Sequence, residues 1–184
     1  MKILVVNGSP MEKSRTRGIT RLAKELLEEK GAEVTFFDLG TEKLPLFPGD
    51  EENDQNESLQ KLKKEADTAD AFFIASPEYH NGMSGALKNA LDFLGGSHFK
   101  HKPAAIAAAS GGSKGGINAL NNMRIVLRGL YALVLPDQFV SDPYCYDDEY
   151  NLVDREAVGR LEDMATLLVT LSKKSAAITN EQVL

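Results

Sequence analysis

Side chains able to do chemistry gather in three short stretches of this chain. The first is Gly8-Ser9-Pro10-Met11-Glu12-Lys13-Ser14-Arg15-Thr16-Arg17, which brings the hydroxyls of Ser9, Ser14 and Thr16 together with Arg15 and Arg17. An apolar run precedes it and a helical stripe follows, so it lies at a helix N-terminus, where free amides and the positive end of the helix dipole favour an anion. Hydroxyls donate to phosphate oxygens and arginine binds them in a bidentate manner. A plain capped turn with incidental arginines fits equally well. Neither G-x-x-x-x-G-K-[ST] nor G-x-G-x-x-G occurs, so the nucleoside-triphosphate and dinucleotide fingerprints are missing. The second stretch runs from Ser76 to Phe93 and opens with Pro77-Glu78-Tyr79-His80-Asn81 and two glycines. A rigid aromatic corner suits a flat ring, and exposed backbone amides suit a polar ring edge. The third stretch is Ser110-Gly111-Gly112-Ser113-Lys114-Gly115-Gly116, whose four glycines let the backbone come within contact distance of a ligand.

The elements around these stretches alternate between strand and helix. Ile3–Val6 is a continuous apolar run of the kind that parallel strands covered on both faces show. Ile19, Leu22, Ala23, Leu26 and Leu27 share one helical stripe, stopped by Gly31. Strands follow at Val34–Phe37, Ala71–Ala75, Pro103–Ala109 and Tyr131–Leu135, with helices near 58–69, 85–94 and 118–130. A last helix is capped by Asp154. The pattern predicts one domain over residues 1–184, an α/β three-layer fold with a five-stranded parallel sheet. Order 2-1-3-4-5 puts a ligand between the ends of strands 1 and 3. All three stretches then lie at the same end of the sheet.

Composition narrows the function. The formal net charge of -6 advertises no basic surface for nucleic acid or anionic lipid. The single cysteine, Cys145, excludes an intrachain disulfide and reads as a structural thiol, since no cation flanks it. Asn7-Gly8-Ser9-Pro10 cuts the first apolar run too short for a signal segment, and no run approaches the ~20 residues of a membrane span. A soluble, cytoplasmic protein is expected. His98 and His101 lie on a connecting stretch without an obvious carboxylate or thiolate partner, so no metal is expected. The acidic run Asp50–Glu57 reads as a solvated loop, Lys114 as a surface group, and Lys88/Asp92 as an i,i+4 pair.

Two of the stretches match the patterns of a known family. Gly8, Ser9 and Ser14 fit G-S-x-R-x-x-S, with Met11 at the arginine position. Pro77, Glu78, Tyr79, Gly85, Leu87–Ala90 and Asp92 fit P-E-Y-N-x-S-x-P-G-x-L-K-N-A-[IL]-D-[WF], with His80, Gly82 and Ser84 as departures. The chain resembles the NADPH-dependent FMN reductase family, a flavodoxin-like family, and most of all its azobenzene reductase branch. That resemblance covers roughly residues 1–140. It implies that Ser9, Ser14, Arg15 and Thr16 hold the FMN phosphate, with Arg15 or Arg17 compensating for Met11. It also implies that Pro77, Glu78, Tyr79, His80 and Asn81 wrap the ring, and that Ser110, Gly111 and Gly112 approach its pyrimidine side.

On this resemblance, NADPH or NADH passes hydride through FMN to a small-molecule electron acceptor, an azo compound or a quinone. The two substrates share one ring face in a ping-pong scheme. No side chain is expected to be catalytic, and His80 is read as positioning its loop, because flavin chemistry needs no side-chain base for hydride transfer. A homodimer or homotetramer is expected, and the apolar Leu44–Phe47 segment is read as lining the acceptor site or packing on a partner subunit. A flavin reductase that releases reduced FMN, or a flavodoxin-type electron carrier, are the alternatives.

Overall fold

The computed structural model describes residues 1–49, 55–112 and 115–181, with side chains up to residue 175. Most of the acidic run and Lys114 lie outside the described residues. In chain order the elements are β1 (Lys2–Asn7), α1 (Arg15–Glu29), β2 (Glu33–Asp38), α2 (Glu57–Thr68), β3 (Ala71–Tyr79), β4 (Gly82–Met83) and α3 (Gly85–Asp92). Then come α4 (Gly96–Phe99), β5 (Pro103–Ala109), α5 (Ile117–Gly129), β6 (Leu133–Val134), β7 (Phe139–Ser141), a 3-10 turn (Pro143–Cys145) and α6 (Arg155–Glu181).

The sheet order is β2-β1-β3-β5-β6, with β7 also on β5 and β4 paired to β3. Among the principal parallel strands this is the flavodoxin-like order expected from sequence. Strand residues alternate between two cores, as the period of two requires. Ile3, Val5, Phe73 and Ala75 pack with Ile19, Ala23 and Leu27 of α1 and Leu161, Ala165 and Leu168 of α6. Leu4, Val6, Phe72 and Ile74 pack on the other face with Leu62, Leu87, Leu120 and Met123 from α2, α3 and α5. Every residue of β5 is buried, so the small side chains of its PAAIAAA run sit beneath helices on both sides.

The helix ends follow local chemistry. Ser14 Oγ accepts from Arg17 N, Asn56 Oδ1 from Leu59 N, and Asp154 Oδ1 from Ala157 N, each satisfying a first-turn amide. Gly31 leaves α1 at φ 83. The edge differs from expectation. Tyr131–Leu135 supplies only the two-residue β6, because Tyr131 turns at φ 66 and Pro136 has no N–H to extend a ladder. Farther along β5, Phe139–Ser141 takes the place beside Ala107–Ala109. No helix among the described residues is long and apolar enough to cross a membrane.

Candidate active site

Three strands deliver the three loops to one edge. Asn7 at the end of β1 pairs in register with Ala75, and Pro77 pairs with Ala109 at the end of β5. The first loop leaves β1 through Gly8, whose N donates to Ala75 O at 2.8 Å. A Cβ there would lie 2.5 Å from that same carbonyl oxygen, so only glycine can make the crossing. Asn7 then anchors the loop: its Oδ1 accepts from Ser9 N at 3.2 Å, and its Nδ2 donates to Asp38 Oδ1 at 2.7 Å. Asp38 Oδ2 accepts from Arg17 Nε at 2.8 Å, with both side chains nearly buried.

That pair separates the two arginines of the first loop. Arg17 is bound to β2 through its Nε, while its buried Nη2 has no hydrogen-bond partner. Arg15 has no carboxylate partner among the described residues, and its buried Nε has no hydrogen-bond partner; buried Thr16 Oγ1 has none either. As the first residues of α1, Arg15 and Thr16 also have backbone amides without an intrahelical acceptor.

The second loop is a hairpin. Glu78 pairs with Met83 and Tyr79 with Gly82, leaving His80 (φ 49) and Asn81 (φ 63) as a two-residue turn with both φ positive. Positive φ at both positions marks the type I′ turn that matches strand twist. Helix α5 clamps this hairpin from the side. Glu78 Oε2 accepts from Ala119 N at 2.9 Å, Asn81 Oδ1 from Asn118 Nδ2 at 3.2 Å, and Asn122 Oδ1 from Met83 N at 3.3 Å. Two buried serines tie it to the first loop. Ser84 N donates to Ser76 Oγ at 2.9 Å, and Ser84 Oγ donates to Gly8 O at 2.5 Å while accepting from Leu87 N at the start of α3. In the third loop, Ser110 Oγ sits 2.7 Å from Gly112 O and 2.9 Å from Asp142 Oδ1.

Between these loops lies an open hollow of about 190 Å³. Ser9, Ser14, Arg15 and Thr16 line it from the first loop, Pro77, Glu78 and Tyr79 from the second, and Ser110 and Gly111 from the third. Met11, Lys13, Ala109 and Tyr150 complete the lining. His80 and Asn81 are exposed at the hairpin tip and Gly112 faces its own loop, so these residues stand beside the hollow and not in its wall. Tyr150 has no signal in the motif reading, because it comes from an irregular segment ahead of α6 that is close only in the fold.

A larger hollow, about 660 Å³, opens beside β6 between Arg124, Leu133 and Leu171. It adjoins Pro103, at the opposite end of β5 from Ala109, and gathers none of the three loops. Strand-end chemistry therefore belongs to the smaller hollow.

Other candidates fall into place. Cys145 is buried in the core, and that burial pushes its thiol up from its ordinary range. His98 does have a carboxylate neighbour, with Nε2 3.4 Å from Asp67 Oδ1, while its Nδ1 accepts from Gly95 N. The fold supplies this contact across α2, beyond the reach of local sequence. No group of three or more metal-binding side chains forms among the described residues. Lys88 binds both oxygens of Asp92, at 2.6 and 2.8 Å. The Leu44–Phe47 segment is held on α3, away from the hollow. Asn89 bridges Pro45 O and Phe47 N, and the Phe47 ring meets Phe93 edge-on at 5.1 Å.

Comparison with known proteins identifies the family. The sequence model of the NADPH-dependent FMN reductase family matches residues 1–145. An NADPH azoreductase of Bacillus sp. (strain OY1-2) is 46% identical over 142 residues, covering 77% of each chain. An FMN-dependent NADPH-azoreductase of Staphylococcus aureus is 32% identical over 166 residues, covering 85% of this chain and 87% of that one. Among solved structures, the flavoenzyme NAD(P)H:(acceptor) oxidoreductase of Paracoccus denitrificans superposes with a TM-score of 0.78 at 24% identity, over 95% of this chain and 98% of that chain. This chain belongs to the NADPH-dependent FMN reductase family, enzymes that use FMN with NADPH as cosubstrate.

Proposed function

We propose that the chain holds FMN in the hollow at the ends of β1, β3 and β5, and transfers hydride from NADPH, or NADH, to an azo compound or a quinone. The observation that carries this reading is that, of three buried donors without partners at the first turn of α1, two, Arg15 Nε and Thr16 Oγ1, belong to residues that line the hollow, the third being Arg17 Nη2. An anion such as a phosphate satisfies both, together with the free amides beside them. FMN supplies the hydride-accepting and hydride-donating chemistry when bound. The chain's own residues bind and orient. Ser9, Ser14, Arg15 and Thr16 hold the phosphate end, Pro77, Glu78 and Tyr79 form the wall for the ring, and the Ser110–Gly111 backbone approaches its polar edge. His80 and Asn81 shape the rim, with Asn81 fixed to α5 through Asn118.

The hollow is smaller than the ~300 Å³ at which closed ligand pockets begin. A ring seated in so shallow a cleft keeps one face open, and two substrates that use the same face alternate in a ping-pong scheme. The same shallowness favours one second reading, a flavin reductase that lets reduced FMN go. The decisive experiment is anaerobic stopped-flow of the flavin-loaded chain. NADPH should bleach the flavin absorbance, and a second mix with an azo dye should restore it without NADPH present. No bleaching with either nicotinamide refutes the enzyme reading. Flavin that leaves on gel filtration after reduction selects the release reading.

We also take the protein to be cytoplasmic and a homodimer or homotetramer. The exposed apolar groups Ile125, Tyr131 and Leu133, the last of them lining the 660 Å³ hollow, support self-association, and light scattering reads the state directly.

A further inference from the structure

A fourth segment, beyond the three loops, closes the anion end of the hollow. It follows the Pro143–Cys145 turn and folds back on the start of α1. Asp147 organises it. Its Oδ1 accepts from Glu149 N at 2.9 Å and Asn151 N at 2.8 Å, and its Oδ2 from Asn151 Nδ2 at 3.0 Å. Tyr150 N donates to Asp147 O at 3.0 Å, and Asp147 N to Asn151 O at 3.1 Å. The tightly closed turn forces Tyr150 to φ 65, the left-handed region that bulky residues avoid. Such an outlier persists only where its surroundings over-determine it, and outliers of this kind cluster at functional sites.

Gly18 shows how closely the segment seats. A Cβ on that helical glycine would lie 2.1 Å from Tyr150 O and 3.3 Å from the Tyr146 ring. Tyr146 is held in turn by a hydrogen bond between its hydroxyl and Ser141 Oγ. The outcome of this packing is a cation over an aromatic face: Arg15 Cζ lies 5.9 Å from the centroid of the Tyr150 ring. Asp147 and Asp148 line a neighbouring hollow with Arg15, yet neither forms an ion pair with it. A carboxylate partner of the kind Arg17 has in Asp38 would neutralise the guanidinium and occupy its donors. An aromatic face orients it and leaves its charge and its N–H groups unspent.

We propose that Tyr150 is a positioning residue whose ring holds Arg15 toward the phosphate of bound FMN, so that it sets the preference for the phosphorylated flavin over riboflavin. This rests on the FMN reading above. The residue lies outside the stretch matched by the family model, which ends at residue 145.

The test titrates the full chain, stripped of flavin, with FMN and separately with riboflavin, following flavin fluorescence. The measured quantity is the ratio of the two affinities. Tyr150→Ala and Tyr150→Leu are each expected to lower that ratio about tenfold, by weakening FMN alone, since a cation–π contact at a partly desolvated site is of that order. The leucine variant keeps the bulk of the wall, so a loss in both variants is not a packing defect. Tyr150→Phe keeps the aromatic face and should keep the ratio. Arg15→Ala should lower the ratio to a floor that adding Tyr150→Ala does not lower further, because the tyrosine acts through the arginine. Equal weakening of both flavins, an unchanged ratio in Tyr150→Leu, or additive losses in the double variant would each overturn the proposal while leaving the FMN reading intact. A wild-type chain that binds neither flavin overturns both.

Discussion

Asp38→Ala is expected to be the most damaging single substitution outside the apolar cores. Asp38 stands at the end of β2 and is saturated: Oδ2 accepts from Arg17 Nε at 2.8 Å, and Oδ1 from Asn7 Nδ2 at 2.7 Å and Gly40 N at 2.8 Å. The Arg17 and Asp38 side chains are only 8% and 12% exposed, so water cannot replace the lost acceptor. Removing the carboxylate leaves a buried guanidinium without a counter-charge, a defect that costs about 3–5 kcal/mol. The reverse substitution, Arg17→Met, is milder, because the remaining carboxylate keeps Asn7 and Gly40 as donors; it should cost ~1–3 kcal/mol. With m near ~2 kcal/mol/M in urea, the Asp38→Ala midpoint should fall by about 2 M and that of Arg17→Met by roughly half as much. Removing both partners should cost less than the sum of the single losses, since no charge is then stranded. Urea unfolding followed by far-UV circular dichroism measures all of these. An Asp38→Ala chain within ~1 kcal/mol of wild type, or an Arg17→Met chain less stable than Asp38→Ala, would refute the reasoning.

Ser84→Ala removes the cap of α3 and the donor to Gly8 O. It should cost about 2 kcal/mol, or about 4–8 °C in Tm for a chain of this size; a drop under about 2 °C in a thermal melt contradicts it. Glu42 accepts from Lys61 Nζ at 2.5 Å and Ser58 Oγ at 2.6 Å, and these bonds, Lys61 first, hold its carboxyl below the usual range. A depressed carboxylate stabilises above its unfolded pKa of ~4.3 and loses that contribution as pH falls through its folded value. The stability gap between wild type and Glu42→Gln should therefore be at most ~1 kcal/mol at neutral pH, given the exposure of Lys61. It should close in acid, and a gap that stays constant from pH 7 to pH 3 counts against the assignment.

What the sequence made legible was whatever rests on local repetition. The apolar runs of β1, β2 and β5, the stripe on α1 and the cap at Asp154 are all consequences of neighbours within a few residues, and the structure has them where the local pattern puts them. The family patterns carried the first and second loops to the hollow in the same way. Two-residue strands such as β4 and β6 hold too few side chains to show a period. The hairpin of the second loop went unread, because the pairing of Tyr79 with Gly82 around the His80-Asn81 turn involves only two residues on each side. Tyr150 escaped altogether: its place in the wall depends on the Asp147 turn, on Gly18 and on α1, which lie far apart in the chain.

The departures from the family patterns have a common physical logic. At position 84 a proline would stiffen the loop by fixing its own φ, a constraint that needs no neighbour. Ser84 instead uses its N–H and its hydroxyl to bind Ser76 and Gly8, the latter 76 residues away. At position 11 the pattern has an arginine within the loop, whereas Met11 here is 56% exposed. The arginine that borders the hollow is Arg15, with its guanidinium over a ring supplied from residue 150. In both places a constraint local to one loop has been exchanged for a contact between distant segments. Such contacts exist only when the whole sheet is formed, so the geometry of this site is a property of the folded core and not of its loops taken singly. That is why the motifs point to the hollow while leaving out the residues that hold the motifs in shape.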